Sequence, residues 1–457
     1  MNVKMHDFFF LSLMVYFFSN NGSQEEYKGM ETKENQSFIK NIVDSPVGRN
    51  VKYFIRWAII AYIVGFLGGA TGGLFAICIT KVTQFRVAHP WTLFFMPLVG
   101  LLIVWCYQVT GEGKNSGTNM VLASISADEK ITGATGPLIF LSTVLTHLVG
   151  GSAGREGAAL QLGGWIGTQI SKIGLFHLDE KEKKMTIMVG MSAVFSALFG
   201  TPVAAAFFSM EVISVGIIYY AAMLPCLLAA FLGKDVALKM GIEYDLFSLG
   251  DIPKLGFKTV QPVVLLGFLV SVLGILFIII LHGFEHNSRK WIPNPYLRIL
   301  VCGGAFVVLT VLLGTTMYGG SGINLIERSM EGNVRLEAFL LKIIFTTLTI
   351  GGGFKGGEII PTLSIGASFG AGYGNLIHFE PTLMAACGMI GLFAAVTNCP
   401  IASILLGLEL FHGDGISFFA AIVSITFSLS GYYSLYGTQK FIFGKLKNVY
   451  LNRLSNH

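Results

Sequence analysis

Charge is what this sequence has least of. Of its 457 residues, 12% are Asp, Glu, Lys or Arg, 53% are hydrophobic, and the mean hydropathy is +0.67. An ordinary soluble domain carries about 25% charged residues, so a water-soluble fold of this size could not cover its surface. Cysteine is scarce as well. Cys78, Cys106, Cys226, Cys302, Cys387 and Cys399 lie in apolar runs without metal-type spacing. They read as small buried apolar residues, not as a zinc site or a disulfide framework. His-Glu-x-x-His, Gly-x-Ser-x-Gly and paired catalytic aspartates are missing, which argues against an enzyme. The glycine clusters lack the strand–helix context of a nucleotide loop. The net charge of +5 is spread over short connecting segments such as 172–184 and 285–298, so no basic patch for nucleic acid forms. Neither a metal nor a cofactor is expected.

What is present in quantity is apolar sequence of membrane-crossing length. A span needs roughly 20 apolar residues to cross about 30 Å of hydrocarbon. Runs of that order lie at 57–80, 87–111, 131–154, 185–210, 212–233, 259–284, 299–326, 359–379, 381–408 and 415–439. They predict at least about ten passes, more where one run holds two short helices, and a multi-pass cell-membrane protein with the bilayer as its solvent. Residues 1–48 differ. Phe8 to Phe18 is an apolar run too short to span, followed by a polar stretch. It reads as a poorly structured extension, either a signal-like segment or an upstream start. Residues 441–457 read as a short basic tail with no room for a soluble regulatory domain.

Glycine totals 56. In a membrane, glycines let helices approach closely or break them at depth. Gly150-Gly151, Gly163-Gly164, Gly351-Gly352-Gly353 and Gly356-Gly357 sit inside apolar runs, where unwound backbone is tolerated only if it is buried or lines a cavity. The chain also repeats. Ser116-Gly117-Thr118-Asn119 matches Ser321-Gly322-Ile323-Asn324. Pro202, nine residues before Glu211, matches Pro400, nine residues before Glu409. A glycine cluster lies between the anchors in each half. This order predicts an all-α, polytopic domain over 49–440, with one repeat at about 90–235 and another at about 259–440. Interrupted segments in matching positions point to a transport site at the repeat interface.

Glu156 is the residue most expressive of function. It stands in Gly154-Arg155-Glu156-Gly157 between apolar runs, and an ionisable group at that depth suggests function by default. The segment after Gly157 reads as a helix, which puts Glu156 at a helix N-terminus. Free N–H groups and the helix dipole favour an anion there. The carboxylate can fill that place itself, and yield it when protonated or displaced. A structural Glu156–Arg155 pair is the plainer alternative. His147 reads as a helix-packing histidine, and Glu211 as a proton-linked group or a helix cap.

Gly-Arg-Glu-Gly after Gly150-Gly151-Ser152-Ala153 resembles the gating motif of the CLC family of chloride channels and proton-coupled anion antiporters. Residues 115–119 take the place of that family's first anion-binding loop, and Lys355-Gly356-Gly357-Glu358-Ile359-Ile360-Pro361 that of the second. Tyr436 falls where the family has a tyrosine at the inner end of the pathway. The resemblance covers roughly residues 50–440. It implies an all-helical homodimer with inverted halves, broken helices meeting at mid-membrane, and one glutamate-gated pathway per subunit. It implies Glu156 as the gating, proton-linked group, and anion binding by Ser116, Gly117, Asn119, Arg155, Gly157, Gly357, Ile359, Ile360 and Tyr436. Glu358 would be a second carboxylate, with Lys355 as a possible partner.

Departures from the family pattern bear on the ion. The commonest first loop is Gly-Ser-Gly-Ile-Pro, but here it is Asn115-Ser116-Gly117-Thr118-Asn119. Asn119 and the Lys-Gly-Gly-Glu pattern resemble the fluoride-exporting branch, whereas Ser116 and Ile360 do not. Chloride/proton antiporters carry two consecutive glutamates where this chain has Glu211-Val212. The resemblance therefore implies transport of small anions, of chloride type or as fluoride/proton antiport conferring fluoride resistance, with protons as partners in the second case.

Overall fold

The computed structural model describes residues 45–456 other than 114, 128 and 448. The chain divides at Ile60. The described residues before that point are chiefly the first turns of α1 (Pro46–Ala88), with Val47, Val51 and Phe54 exposed. Residues 61–457 form the second unit.

Sixteen α-helices are found among the described residues. After α1, the first half contains α2 (Met96–Val109), α3 (Thr118–Ser126), α4 (Thr135–Leu148), α5 (Glu156–Ser171), α6 (Glu180–Phe199), α7 (Pro202–Glu211) and α8 (Met223–Lys239). The second half opens with α9 (Phe257–Trp291). It continues with α10 (Pro295–Leu313), α11 (Ile323–Met330), α12 (Ala338–Thr346), α13 (Ile359–Ile377), α14 (Pro381–Thr397), α15 (Pro400–Leu410) and α16 (Ile416–Leu429). Among the described residues, five helical stretches are long and apolar enough to cross a bilayer, and five shorter ones are also apolar. At 1.5 Å per residue, the 35 residues of α9 reach about 50 Å, more than the hydrocarbon thickness, so the helix tilts or projects. Val264, Phe268, Val308 and Leu312 leave apolar faces of α9 and α10 outward, as lipid contact requires.

Two of the apolar runs each hold a pair of short helices, for a local reason. Gly200 ends α6 and Asn398 ends α14, both in the left-handed region (φ +73° and +58°). Thr201 and Cys399 then share one backbone conformation (φ −115° at both), and a proline starts α7 and α15. Proline at the first helical position loses no hydrogen bond and presets φ. The repeated sequence therefore has a repeated backbone.

The halves exchange equivalent contacts. The Glu211 carboxylate accepts from the Ile401 and Ala402 N–H groups (3.3 and 2.9 Å), and the Glu409 carboxylate from those of Val203 and Ala204 (3.1 and 2.8 Å). Each glutamate stands at the end of one helix and caps the start of its counterpart. Such reciprocity is what an approximate two-fold relation between halves produces. The helix pairs behave alike. Gly163 on α5 faces Gly190 on α6, and Gly366 on α13 faces Gly388 on α14, each glycine lying against its partner's backbone. Between the halves, Phe195, Phe208 and Phe393 pack in series, with ring centroids 5.3 and 5.6 Å apart.

The basic tail is not helical. β1 (Ser214–Val215), β2 (Lys440–Phe443) and β3 (Tyr450–Leu454) form a small sheet, parallel between β1 and β2 and antiparallel between β2 and β3. This sheet is an addition to the all-α reading. The extension read at 1–48 lies almost wholly outside the described residues.

Candidate functional site: a buried carboxylate where helix starts converge

Two broken segments meet at Gly154 and Gly357. Each donates its N–H to the other's carbonyl, at 2.7 and 2.8 Å. A Cβ on Gly357 would come within 3.1 Å of the Gly157 Cα, and one on Gly157 within 2.9 Å of the Gly357 Cα, so backbone can approach backbone only because both are glycine. Immediately beyond, α5 and α13 begin. Their N-caps, Arg155 and Glu358, have nearly the same backbone angles (φ −100°, ψ −9° and φ −93°, ψ −12°). By this match Arg155 corresponds to Glu358, and Glu156 to Ile359. Glu358 therefore stands one residue before the position equivalent to Glu156.

Glu156 is fully buried. One carboxylate oxygen, Oε2, accepts from the Ile360 N–H at 3.3 Å, in the first turn of α13. Its other oxygen, Oε1, has no partner among the described residues. A carboxylate on one helix thus occupies an N-terminal N–H group of another, where the helix dipole favours negative charge. A buried oxygen without a partner is costly.

The first loop closes on the same place. Gly117 takes φ +67° and starts α3, held by Asn115 Oδ1, which accepts from the Gly117 N–H at 2.8 Å. The Thr118 hydroxyl and the Gln161 carboxamide both donate to the Gly157 carbonyl, at 3.4 and 3.2 Å. Thr118 and Gln161 are buried and Gln161 Oε1 is unpartnered among the described residues, whereas Ser116 is exposed. The sequence reading assigned no role to Thr118 or Gln161. Gln161 carries a faint signal, since it stands one helical turn after Gly157.

Asn119 joins this loop to the end of the chain. Its Oδ1 accepts from the Thr438 N–H and its carbonyl from the Thr438 hydroxyl, at 3.3 and 3.0 Å. Tyr436 lies two residues earlier, buried, with a hydroxyl that has no partner among the described residues. Its carbonyl accepts from the Ser455 hydroxyl at 2.9 Å, so the residue after β3 fixes it from behind. Gln439 donates to the carbonyls of Val212 and Thr397 (2.9 and 2.8 Å) and accepts from Asn398. Val212 itself is an apolar, fully buried side chain.

Two pairings that the sequence left open are not formed among the described residues. Arg155 does not pair with Glu156. Its guanidinium donates to the Leu198 carbonyl at 3.2 Å and lies 3.9 Å from the Asp245 carboxylate. It lines a cavity of about 30 Å³ with Asp245, Phe247, Ile323, Ile360 and Leu363, room for a water or a small ion. Lys355 does not pair with Glu358. Its ammonium stands over the Tyr107 ring, 4.6 Å from the centroid. Of the two roles open to Glu211, the carboxylate takes that of a helix cap. His147 packs as expected, with Nδ1 3.0 Å from the Thr143 carbonyl. No cluster of metal-ligating side chains occurs among the described residues.

Comparison with known proteins agrees with this geometry. The profile of the family described as "Voltage gated chloride channel" matches residues 99–430. A "Chloride/fluoride channel protein" of Pseudomonas syringae pv. tomato is 32% identical over 396 residues, 85% of this chain and 87% of that protein. A Vibrio cholerae serotype O1 "H(+)/Cl(-) exchange transporter ClcA" is 30% identical over 56% of this chain and 58% of its own length. Among solved structures, a CLC-type fluoride/proton antiporter superposes with a TM-score of 0.81 at 32% identity, covering 87% of this chain and 99% of that one. A slow cyanobacterial Cl−/H+ antiporter shares the fold, with a TM-score of 0.72 at 19% identity over 82% of this chain and 94% of that one. With its repeated proline helices and convergent helix starts in place, this multi-pass membrane chain belongs to the voltage-gated chloride channel, or CLC, family of anion transporters.

Proposed function

We propose that this member exchanges fluoride for protons. The observation that carries the reading is the Glu156 carboxylate on the N-terminal N–H of α13, buried, with its second oxygen unsatisfied. As a carboxylate it holds the anion's place. Once protonated it no longer needs the helix start, and a small anion can take the Ile360 N–H in its stead. The proton then travels with Glu156 while the anion travels past it, so the two move in opposite directions.

The choice of ion is supported by the residues around that place and by the comparisons. Asn119 and Glu358 match the fluoride-type pattern, and Val212 fills the position of the second glutamate of chloride/proton exchangers with a buried apolar group. The two matches at 32% identity that span most of the chain carry fluoride in their descriptions. Glu358, at the N-cap of α13, would be a second carboxylate in the cycle. Tyr436 presents an unpartnered hydroxyl at the other end, and Asn119 holds its loop. Arg155, Ser116, Gly117, Gly157, Gly357 and Ile359 would complete the lining of the pathway. The protein would act as a homodimer with one pathway per subunit, performing no covalent chemistry.

Proteoliposomes read by fluoride- and chloride-selective electrodes, with external pH followed in parallel, test the reading. Expected are fluoride release accompanied by proton uptake, and loss of the proton movement in Glu156→Gln. Chloride release equal to fluoride release, with no pH change, would identify a chloride-type conductor instead.

A further inference from the structure

Arg86 on α1 and Lys342 on α12 stand outside the two loops that meet at Gly154 and Gly357. Arg86 stands in the last turn of α1. Its guanidinium lies against two glycines, with Nη1 3.1 Å from where a Cβ of Gly150 would be and Nη2 3.1 Å from that of Gly320. Those glycines are joined by the Gly320 N–H donating to the Gly150 carbonyl at 2.9 Å, and both have positive φ. A Cβ at either position would crowd the guanidinium, so the two turns lie close against it. Yet among the described residues the guanidinium has no hydrogen-bond acceptor and no carboxylate partner, and its Nε is buried without any. The residue is half-buried, and its guanidinium stays charged and needs acceptors.

Lys342, on α12, approaches the same turn from the other side. It is fully buried, and its ammonium donates to the Tyr318 and Gly320 carbonyls at 3.3 and 3.0 Å. That leaves one of three donors unused, and no carboxylate partner exists among the described residues. The lysine stem lies 2.9 Å from where a Cβ of Gly322 would be. Gly322 caps α11, whose Ile323 and Ile326 line the cavity that Arg155 also lines. Only a glycine there lets the lysine lie directly behind the cavity wall. Arg155 has Asp245 beside it, whereas the two cations behind have no such acid among the described residues.

Lys342, fully buried, and Arg86, half-buried, put two positive charges beside one turn with no carboxylate partner among the described residues, an arrangement that an anion stabilises. We propose that Arg86 and Lys342, with turn 318–320 between them, form a second anion site at the Arg155 end of the pathway. It holds a small monovalent halide before that ion reaches Glu156. The inference rests on the anion-transport reading and adds a capture step to it. Gly150 begins the loop that ends at Glu156, so the site and the gate are consecutive along the chain. A fixed positive potential at the mouth raises local anion concentration, an effect that salt screens.

Arg86→Gln and Arg86→Lys in proteoliposomes test this, with initial fluoride and chloride fluxes measured against ion concentration at several strengths of impermeant salt. Expected for Arg86→Gln is an apparent KM raised about threefold to tenfold and a flattened dependence of KM on salt. Arg86→Lys keeps the charge and should restore most of both. A merely structural arginine would not give the flattened salt dependence, nor its recovery in the lysine variant. Wild-type-like KM and salt dependence in Arg86→Gln, or equal damage in both variants, would overturn the site alone. Wild-type protein that moves neither ion would overturn the functional reading and the site together.

Discussion

Removing the Glu211 carboxylate separates a cap from a proton carrier. Glu211 accepts two backbone N–H groups at the start of α15, at 3.3 and 2.9 Å, and is 6% exposed. Glu211→Ala leaves both donors without a partner in a place water reaches poorly. Helix N-cap losses run about 0.5–2 kcal/mol, and a hydrogen bond to a charged group is worth about 1.5–3 kcal/mol. The longer of the two bonds belongs near the weak end, so about 2–4 kcal/mol is expected for the pair. The control is Glu409, which caps α7 with bonds of 3.1 and 2.8 Å. Glu409 is half-buried, so water replaces part of what is lost and about 1–3 kcal/mol is expected for Glu409→Ala. Glu211→Gln keeps an acceptor oxygen and should recover about half of the loss. The assay is thermal unfolding of purified protein in detergent, alongside proton and anion flux from liposomes. Both alanine variants should melt earlier, Glu211→Ala most, while any protein that survives reconstitution keeps its ratio of protons to anions. Glu211→Ala with unchanged melting and abolished proton movement would refute the reasoning and make Glu211 a proton relay.

Two further outcomes follow from packing and from charge. Gly190 faces the Gly163 backbone so closely that any Cβ collides with a carbonyl, and overpacking of that kind costs about 1–3 kcal/mol or more. Gly190→Val should therefore abolish stable expression, as should Gly388→Val at the matching crossing, and normal melting of either would contradict the geometry. Lys445, in the turn between β2 and β3, donates to Asn398 and to the Ser430 hydroxyl, and burial lowers its pKa from 10.5 to about 7. The unfolded chain then binds this proton between about pH 7 and 10.5 while the folded one does not, so Lys445 costs stability at pH 7 and the cost disappears as pH rises towards 10.5. Melting of wild type should rise over that window, and melting of Lys445→Met should rise less; equal slopes would refute the assignment.

Much of the site was legible in the sequence because its signals are local. A carboxylate in an apolar run, flanked by glycines and followed by a helical pattern, needs no knowledge of partners to stand out as a candidate. The same holds for Pro202 and Pro400, whose place after a chain-reversing residue sets the helix start by backbone sterics alone. The repeat, the membrane class and the broken helices were readable for that reason. The positions of Ser116 and Thr118 were not, since two nearby hydroxyls differ only in which way a glycine-capped loop turns them.

What the tertiary structure decided are partnerships between residues far apart in the sequence. Arg155 and Glu156 are adjacent in sequence, yet one faces Asp245 and the other the start of α13, because helix geometry sends successive side chains in different directions. Glu211 and Glu409 look like isolated acids until the fold brings each to the other's helix. The tail reads as a basic extension, but pairing with Ser214 and Val215 makes it a sheet. Arg86 and Lys342 lie in unremarkable segments, and only the fold shows that they share a turn and lack a counter-ion among the described residues. Composition and pattern fix what each segment is, because propensity and burial act along the chain. Which charges meet depends on long-range packing, and no local pattern carries that information.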